Sequence, residues 1–242
     1  MPNGTVHGPD YQFIKSLAVF KELPEETVER LVARMDKKRF RAGEYIFCQD
    51  DPVNHLYILE LGEVEIYKSD TNGRKLTLWF IEASEVFCLA NMFAARSFAN
   101  AVARTECLAF RLEKEKLITS LGEDSRLSMQ FITCMSSKMA SYATLLEDFT
   151  FRDVKSRLAR LLMRYISQDD KQQSICPLTH SEIASLLGTS REVVSRSLKF
   201  LRDEGIVDSN PKGKKQHLAI LDIKNLQQIA RHDSNSRFEI TH

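Results

Sequence analysis

Apolar residues change their rhythm along this chain, and each rhythm predicts a different kind of element. In residues 11–36, Phe13, Ile14, Leu17, Val19 and Phe20, then Val28, Leu31 and Val32, recur at helical intervals. Leu23-Pro-Glu-Glu reads as a helix start, because proline suits a first turn whose N–H groups lack partners anyway. From Lys38 to about Arg111 the period falls to two: Tyr45–Phe47, Leu56–Leu59, Val64–Tyr67, Leu76–Ile81, Ala101–Ala103 and Cys107–Leu112. Turn signals at Ala42-Gly43, Asp50–Asn54, Leu61-Gly62 and Asp70–Gly73 separate these runs. Many short strands at nearly even spacing predict a small barrel or roll.

Helical periodicity returns from about Ser125 to Asp148. Ile132, Met135, Met139, Tyr142, Leu146 and Phe149 alternate spacings of three and four, as a coiled-coil seam does. Leu127, Phe131, Cys134 and Leu145 make a second apolar face. One face is expected to pack on the roll and the other on a second copy of the chain, giving a homodimer. Phe149–Asp153 reads as a hinge, Val154–Ser167 as a helix and Gln168–Ser174 as a polar loop.

Two short helices follow. Ile183, Ala184 and Leu187 form one apolar stripe, Gly188 breaks the chain, and Val193, Val194, Leu198 and Leu201 form a second stripe. Thr189 or Ser190 caps the second helix. This is a helix-turn-helix pattern, which places one helix in a DNA groove. The opposite face of its second helix carries Arg191, Glu192, Ser195, Arg196 and Lys199. Arginine can pair with guanine in a bidentate manner, glutamate can accept from the cytosine amino group, and serine or lysine can reach phosphates or bases. Gly205 stops this helix; Asp208–Asp222 reads as a wing hairpin offering Lys212, Lys214 and Lys215 to phosphates, and Ile223 to about Arg231 as a last helix. The expected fold is α+β. Its domains are an N-terminal sensory roll (residues 1–124), a dimerisation helix (125–149) and a C-terminal winged helix-turn-helix (150–242).

Charge sharpens this division. The chain of 242 residues has a formal net charge of +1, yet residues 150–242 hold 16 Lys and Arg against 11 Asp and Glu, while residues 1–149 hold 18 against 22. The basic part is the one carrying the helix-turn-helix, as phosphate binding asks. Cysteines 48, 88, 107, 134 and 176 form no CxxC pair and are odd in number, so neither a disulfide framework nor a zinc ribbon is indicated. No apolar run can span a bilayer and the first ten residues lack a signal-peptide pattern, so the expected location is the cytoplasm. Enzyme motifs of the P-loop, GxGxxG, HExxH and GxSxG kinds do not occur. His180-Ser181-Glu182 opens the first motif helix, where Ser and Glu read as cap residues and His180 as a phosphate contact. A ligand-binding adaptor without DNA function would leave the helix-turn-helix without a task.

Four stretches carry a resemblance: Gly43-Glu-Tyr-Ile-Phe47, Leu56-Tyr-Ile-Leu-Glu-Leu-Gly62, Asp153-Val-Lys-Ser-Arg-Leu-Ala159 and Ser190-Arg-Glu-Val-Val-Ser-Arg196. In this order, over roughly residues 12–232, the chain resembles the cAMP receptor protein and FNR (CRP/FNR) family of bacterial transcription regulators. That resemblance implies a cyclic-nucleotide-binding-like β-roll, action as activator or repressor on double-stranded DNA, and RNA polymerase as a partner. It places Arg191, Glu192 and Arg196 on bases of a palindrome with TTGA- or TGTGA-type half-sites.

The same resemblance bears on the effector. The family's nucleotide cassette uses Gly-Glu for the ribose and Arg-Ser-Ala for the phosphate. Here Ser84-Glu85 stands in the first place, Arg96-Ser97-Phe98 sits one residue out of frame, and Tyr142-Ala143 replaces the helix positions that meet the purine. These departures argue against cAMP. No cysteine precedes Cys48, which argues against an FNR-type iron–sulfur cluster. Phe87-Cys88 and Phe151–Arg157 are similar to the family's haem-containing carbon monoxide sensor, although Ala90 occupies the place of its second ligand histidine. Haem held by Cys88 and Pro2, a redox signal at Cys88, a nucleotide, or another ligand all stay open. Glu85, Cys88, Arg96, Ser97 and Tyr142 are the candidate effector residues; His55 is the one histidine well inside the roll.

Overall fold

The computed structural model describes residues 8–168, 172–210 and 217–231. Pro2, Lys212, Lys214 and Lys215 lie outside them. Two compact units emerge: Met1–Lys68 with Leu78–Ala140, and Ser69–Thr77 with Ser141–His242. The long helix is thus divided between the units and does not stand apart as a third.

The first unit opens with helices α1 (Pro9–Ser16) and α2 (Glu25–Ala33). Pro24 stands at the N-cap of α2, just outside the first turn, and the connection between the helices buries Leu17, Phe20 and Leu23. Strands β1 (Asp36–Phe40), β2 (Tyr45–Phe47), β3 (His55–Leu61), β4 (Val64–Ser69), β5 (Lys75–Ile81) and β6 (Val86–Phe87) follow. A single turn, α3 (Leu89–Met92), precedes β7 (Asn100–Ala103) and β8 (Cys107–Glu113). They form two four-stranded sheets, ordered β1-β8-β3-β6 and β2-β7-β4-β5, as a roll requires. Register is reinforced by directly opposed partners. Arg111 on β8 faces Asp36 on β1 and grips its carboxylate with two bonds of 2.7 and 2.9 Å. Tyr57 on β3 faces Phe87 on β6, their rings stacked 5.2 Å apart.

Gly62, between β3 and β4, takes φ +96. A Cβ there would collide with the Glu106 carbonyl and the Cys107 sulfur, so the tight passage of these strands needs glycine for its backbone and for its missing side chain.

A helix that periodicity did not reveal, α4 (Lys114–Glu123), follows β8. The long helix α5 spans Ser125–Phe151, three residues beyond the expected end at Asp148. Its first half seals the roll, with Leu127 and Phe131 buried in the core, Cys134 packed on it, and Phe131 beside Phe20. Met135, expected on the dimer seam, also packs against this core. Leu145, expected on the roll face, belongs to the second unit instead.

That unit continues with α6 (Val154–Arg164), capped by the Asp153 carboxylate accepting from Ser156 N–H at 2.8 Å. The expected helix to Ser167 stops earlier because Ser167–Gln168 becomes strand β9. It pairs with β10 (Ser174–Cys176), so the polar stretch between them is flanked by strands. Helices α7 (His180–Leu186) and α8 (Arg191–Asp203), the wing strands β11 (Val207–Asn210) and β12 (His217–Ile220), and α9 (Ile223–Arg231) complete the chain. The third sheet runs β11-β12-β10-β9.

Asp124 knits the first unit together. Its buried carboxylate accepts from the Thr27 hydroxyl of α2 and from the Arg126 N–H at 2.9 Å, where α5 begins. The Thr27 bond leads the groups that hold Asp124 down at a pKa of about 2. A depressed carboxylate adds stability that is complete above its unfolded value of about 4 and is lost as pH falls towards 2. Trp79, the chain's one tryptophan, packs on the same core and reports its unfolding. Urea midpoints followed by its fluorescence should fall more between pH 5 and pH 3 in the parent than in Asp124→Asn, which should be weaker at pH 7. Equal losses would refute this role.

Candidate nucleic-acid interface and effector region

α7 starts under a full capping box. Thr179 Oγ1 accepts from Glu182 N–H at 3.3 Å, and Glu182 Oε2 accepts from Thr179 N–H at 2.7 Å. The cap is therefore Thr179; Ser181 lies inside the helix, and Thr-x-x-Glu is the sequence signal that identifies it. Gly188 then turns the chain at φ +58, a left-handed conformation that ends helices readily only for glycine. Between the two expected caps of α8, Ser190 takes the role, its Oγ accepting from Val193 N–H at 3.4 Å, and Thr189 precedes it.

The apolar stripes are buried as expected, except that Val193 is only half-buried. Ile183, Ala184 and Leu187 from the first helix and its end, and Val194, Leu198 and Leu201 from the second, are buried. Lys155 Nζ sits 3.6 Å above the Phe200 ring and adds a cation–π contact behind them. Burying one face of α8 turns the other outward. Arg191, Glu192, Arg196 and Lys199 are exposed on it, and the Glu192 carboxyl is held below its ordinary range, first by a Ser190 hydrogen bond and further by Arg191 and Arg196. Ser195 is half-buried, 3.4 Å from His180 Nδ1. Burial, then Arg191 and Arg202, depress the His180 pKa, which favours a neutral imidazole leaning on the recognition helix.

Behind the motif, Asp148 near the end of α5 accepts from Arg152 Nε at 2.9 Å and from Arg160 Nε at 3.1 Å. Arg152 also donates to the Ala230 carbonyl of α9 at 3.2 Å. These bonds narrow the expected hinge at Phe149–Asp153: helix persists to Phe151, and only Arg152 and Asp153 break it.

Four of the five candidate effector residues lie in the first unit. Ser97 is buried, donating to the Ala99 carbonyl at 2.6 Å and accepting from Asn91 Nδ2 at 3.0 Å. Arg96 is exposed and donates to the Asp50 carbonyl at 2.7 Å. Glu85 Oε2 accepts from Glu82 N–H at 2.8 Å, and Ser84 takes φ +74 where the nucleotide cassette has glycine. Cys88 caps α3 at φ +71; burial pushes its thiol up to about 12, so it stays protonated at neutral pH. Tyr142 belongs to the second unit, its hydroxyl pushed up to about 12 by burial. Buried Asn91, which organises Ser97, had no recognisable sequence signal.

Residues 37–124 match the cyclic nucleotide-binding domain family, and residues 156–229 match the Crp-like helix-turn-helix domain family. The chain belongs to the CRP/FNR family of transcriptional regulators. The regulator is 27% identical over 204 residues to the cyclic AMP receptor protein of Thermus thermophilus, covering 82% of this chain and 91% of that one. A solved CRP/FNR-family transcriptional regulator, also from Thermus thermophilus, has the same fold, with a TM-score of 0.68 at 22% identity over 81% of this chain and 99% of that one. The c-di-GMP responsive global regulator CLP of Xanthomonas campestris gives 0.70 at 24% identity, over 82% and 99%. The regulator is thus a DNA-binding protein and not an enzyme. No helix among its described residues is long and apolar enough to cross a membrane.

Proposed function

We propose that the regulator works in the cytoplasm as a homodimer, reading a palindromic site of TTGA- or TGTGA-type half-sites and passing an effector signal to RNA polymerase. The observation that carries the DNA reading is the exposed row Arg191, Glu192, Arg196 and Lys199 on a helix whose reverse is buried. Arg191 and Arg196 take guanines, Glu192 a cytosine, and Lys199 with Ser190 and Thr189 the backbone. Ser195, 3.4 Å from His180 Nδ1, reaches phosphates or bases, His180 a phosphate, and the wing lysines 212, 214 and 215 add phosphate contacts. On operator DNA, Arg196→Ala should lose about 1–3 kcal/mol and relax preference at one base, while Lys199→Ala should weaken specific and random DNA alike. Equal losses on both DNAs for Arg196→Ala, in a binding titration at fixed salt, would overturn the assignment.

Dimerisation is supported by Ile132, Met139 and Leu146, seven residues apart and each more than half exposed in the single chain. Tyr142 and Phe149 complete this seam, and Met135 borders the roll. Two recognition helices can then address half-sites one DNA turn apart. Met139→Glu with Leu146→Glu should halve the mass measured by light scattering and abolish specific binding; a dimer that survives both changes sinks the seam.

The effector we infer is not cAMP. Ser97, a group a cyclic phosphate would need, is already bonded to Asn91 and Ala99, and Arg96 spends one Nη on the Asp50 carbonyl. These residues do not fit the nucleotide as they stand. Related proteins named for cyclic AMP and for c-di-GMP response indicate that one fold serves different effectors. Isothermal titration with cAMP should show no saturable heat and operator affinity should not change with it; binding lost in Arg96→Ala would refute this. Of the two candidate haem ligands, Pro2 lies outside the described residues and Cys88 is half-buried; with its thiol pushed up to about 12 by burial, Cys88 disfavours redox attack in this state.

A further inference from the structure

Within the second unit, α5 and α6 flank an open cleft of about 500 Å³, which Leu186 and Leu187 at the end of α7 also line. Cavities of a few hundred cubic ångströms are the size that holds small molecules. Its charge is unbalanced. Arg157, Arg160 and Arg164 of α6 line it, opposed by one lining carboxylate, Asp148. That carboxylate is already shared between Arg160 and Arg152.

Arg157 is the decisive group. Its Nε is buried out of reach of solvent without a hydrogen-bond partner, so a ligand in the cleft would meet the Nη groups of this guanidinium. One Nη donates to the Leu187 carbonyl at 3.3 Å, and the guanidinium lies 4.7 Å from the centre of the Phe149 ring. A buried donor on a charged group is costly to leave unmade, more so than a neutral one, and a carbonyl and an aromatic face do not replace an anion. Burial accordingly lowers the Arg157 pKa.

Phe149 borders both this cleft and the proposed seam, but most of the α5 lining faces away from that seam. Ser141, Thr144, Leu145 and Asp148, which line the cleft, lie across α5 from the exposed row Ile132, Met139 and Leu146. Three guanidinium groups against one carboxylate match the two negative charges that a phosphate monoester carries at neutral pH. Phe149, Leu145 and Leu161 offer an apolar wall beside them.

We propose that this cleft binds a small phosphate monoester with a flat or apolar body, its phosphate held by Arg157, Arg160 and Arg164. The site is separate from the roll's effector region and lies on residues of the DNA-binding unit. A phosphate bridging α6 to Thr144 of α5 would fix the angle between these helices where the chain breaks at Arg152 and Asp153. That regulatory consequence rests on the DNA-binding reading above; the binding itself does not.

Phenyl phosphate is the probe, titrated calorimetrically into the full-length protein alongside inorganic phosphate and phenylacetate. Phenyl phosphate should bind saturably, at least about tenfold more tightly than either control, the difference of about one good contact. Arg157→Gln and Arg164→Gln should each weaken it about tenfold or more, whereas the recognition-helix variant Arg191→Ala/Arg196→Ala should bind as the parent does. Arg164 is exposed, so its variant decides the matter if Arg157→Gln fails to fold. No saturable binding, equal affinity for inorganic phosphate, or binding unchanged by Arg164→Gln would each overturn the proposal. Loss of binding only in the recognition-helix variant would do so as well, and would leave the DNA reading intact.

Discussion

A helix of 27 residues that is apolar on more than one face must bury each of those faces on something different, and the architecture of this regulator follows from how α5 does so. Its N-terminal half is spent on the roll, where Leu127 and Phe131 disappear into the core. Farther along, Ile132, Met139 and Leu146 stay exposed in the single chain. Its C-terminal end is held by charge: Asp148 joins Arg152 and Arg160. One element therefore contributes to the core of the first unit, to an exposed apolar row, and to the helix-turn-helix unit.

The ends of α5 are anchored by buried or half-buried polar groups, and these are directional where apolar packing is not. Asp124 ties its start to Thr27 and to the N–H of Arg126. At the other end, Arg152 reaches both Asp148 and the Ala230 carbonyl. A rotation or shift of the helix must break such bonds, each in a medium where an unpaired partner is expensive. Asp148, shared by Arg152 and Arg160, concentrates such bonds at one carboxylate.

The roll differs from the nucleotide cassette at particular side chains. Ser84 retains a left-handed turn without glycine, and Ser97 is turned inward onto Asn91 and Ala99. Hydroxyls that satisfy their own backbone are not available to a phosphate without rearrangement. Of the cassette positions, Ser97 has its hydroxyl committed to Asn91 and Ala99, and Arg96 spends one Nη on the Asp50 carbonyl.

Periodicity and turn residues determined the elements: the alternating strands of the roll, the long helix, the two motif helices around Gly188, and the wing. These are local properties, written in the spacing of apolar side chains and in the few residues that tolerate special backbone angles. The outward face of α8 was equally legible, since a buried stripe of Val194, Leu198 and Leu201 leaves Arg191, Glu192, Arg196 and Lys199 only one direction. Short or weakly amphipathic elements were not: α3 and α4 gave no clear rhythm, and the strands around the polar stretch at Gln168–Ser174 pair for reasons outside it. Nor could sequence show that Met135 packs on the roll, that Asn91 claims Ser97, or that Arg157 carries a buried nitrogen without a partner. Each of those depends on which distant side chains arrive beside it, and a hydrogen bond or a cavity exists only once tertiary packing has brought both of its sides together.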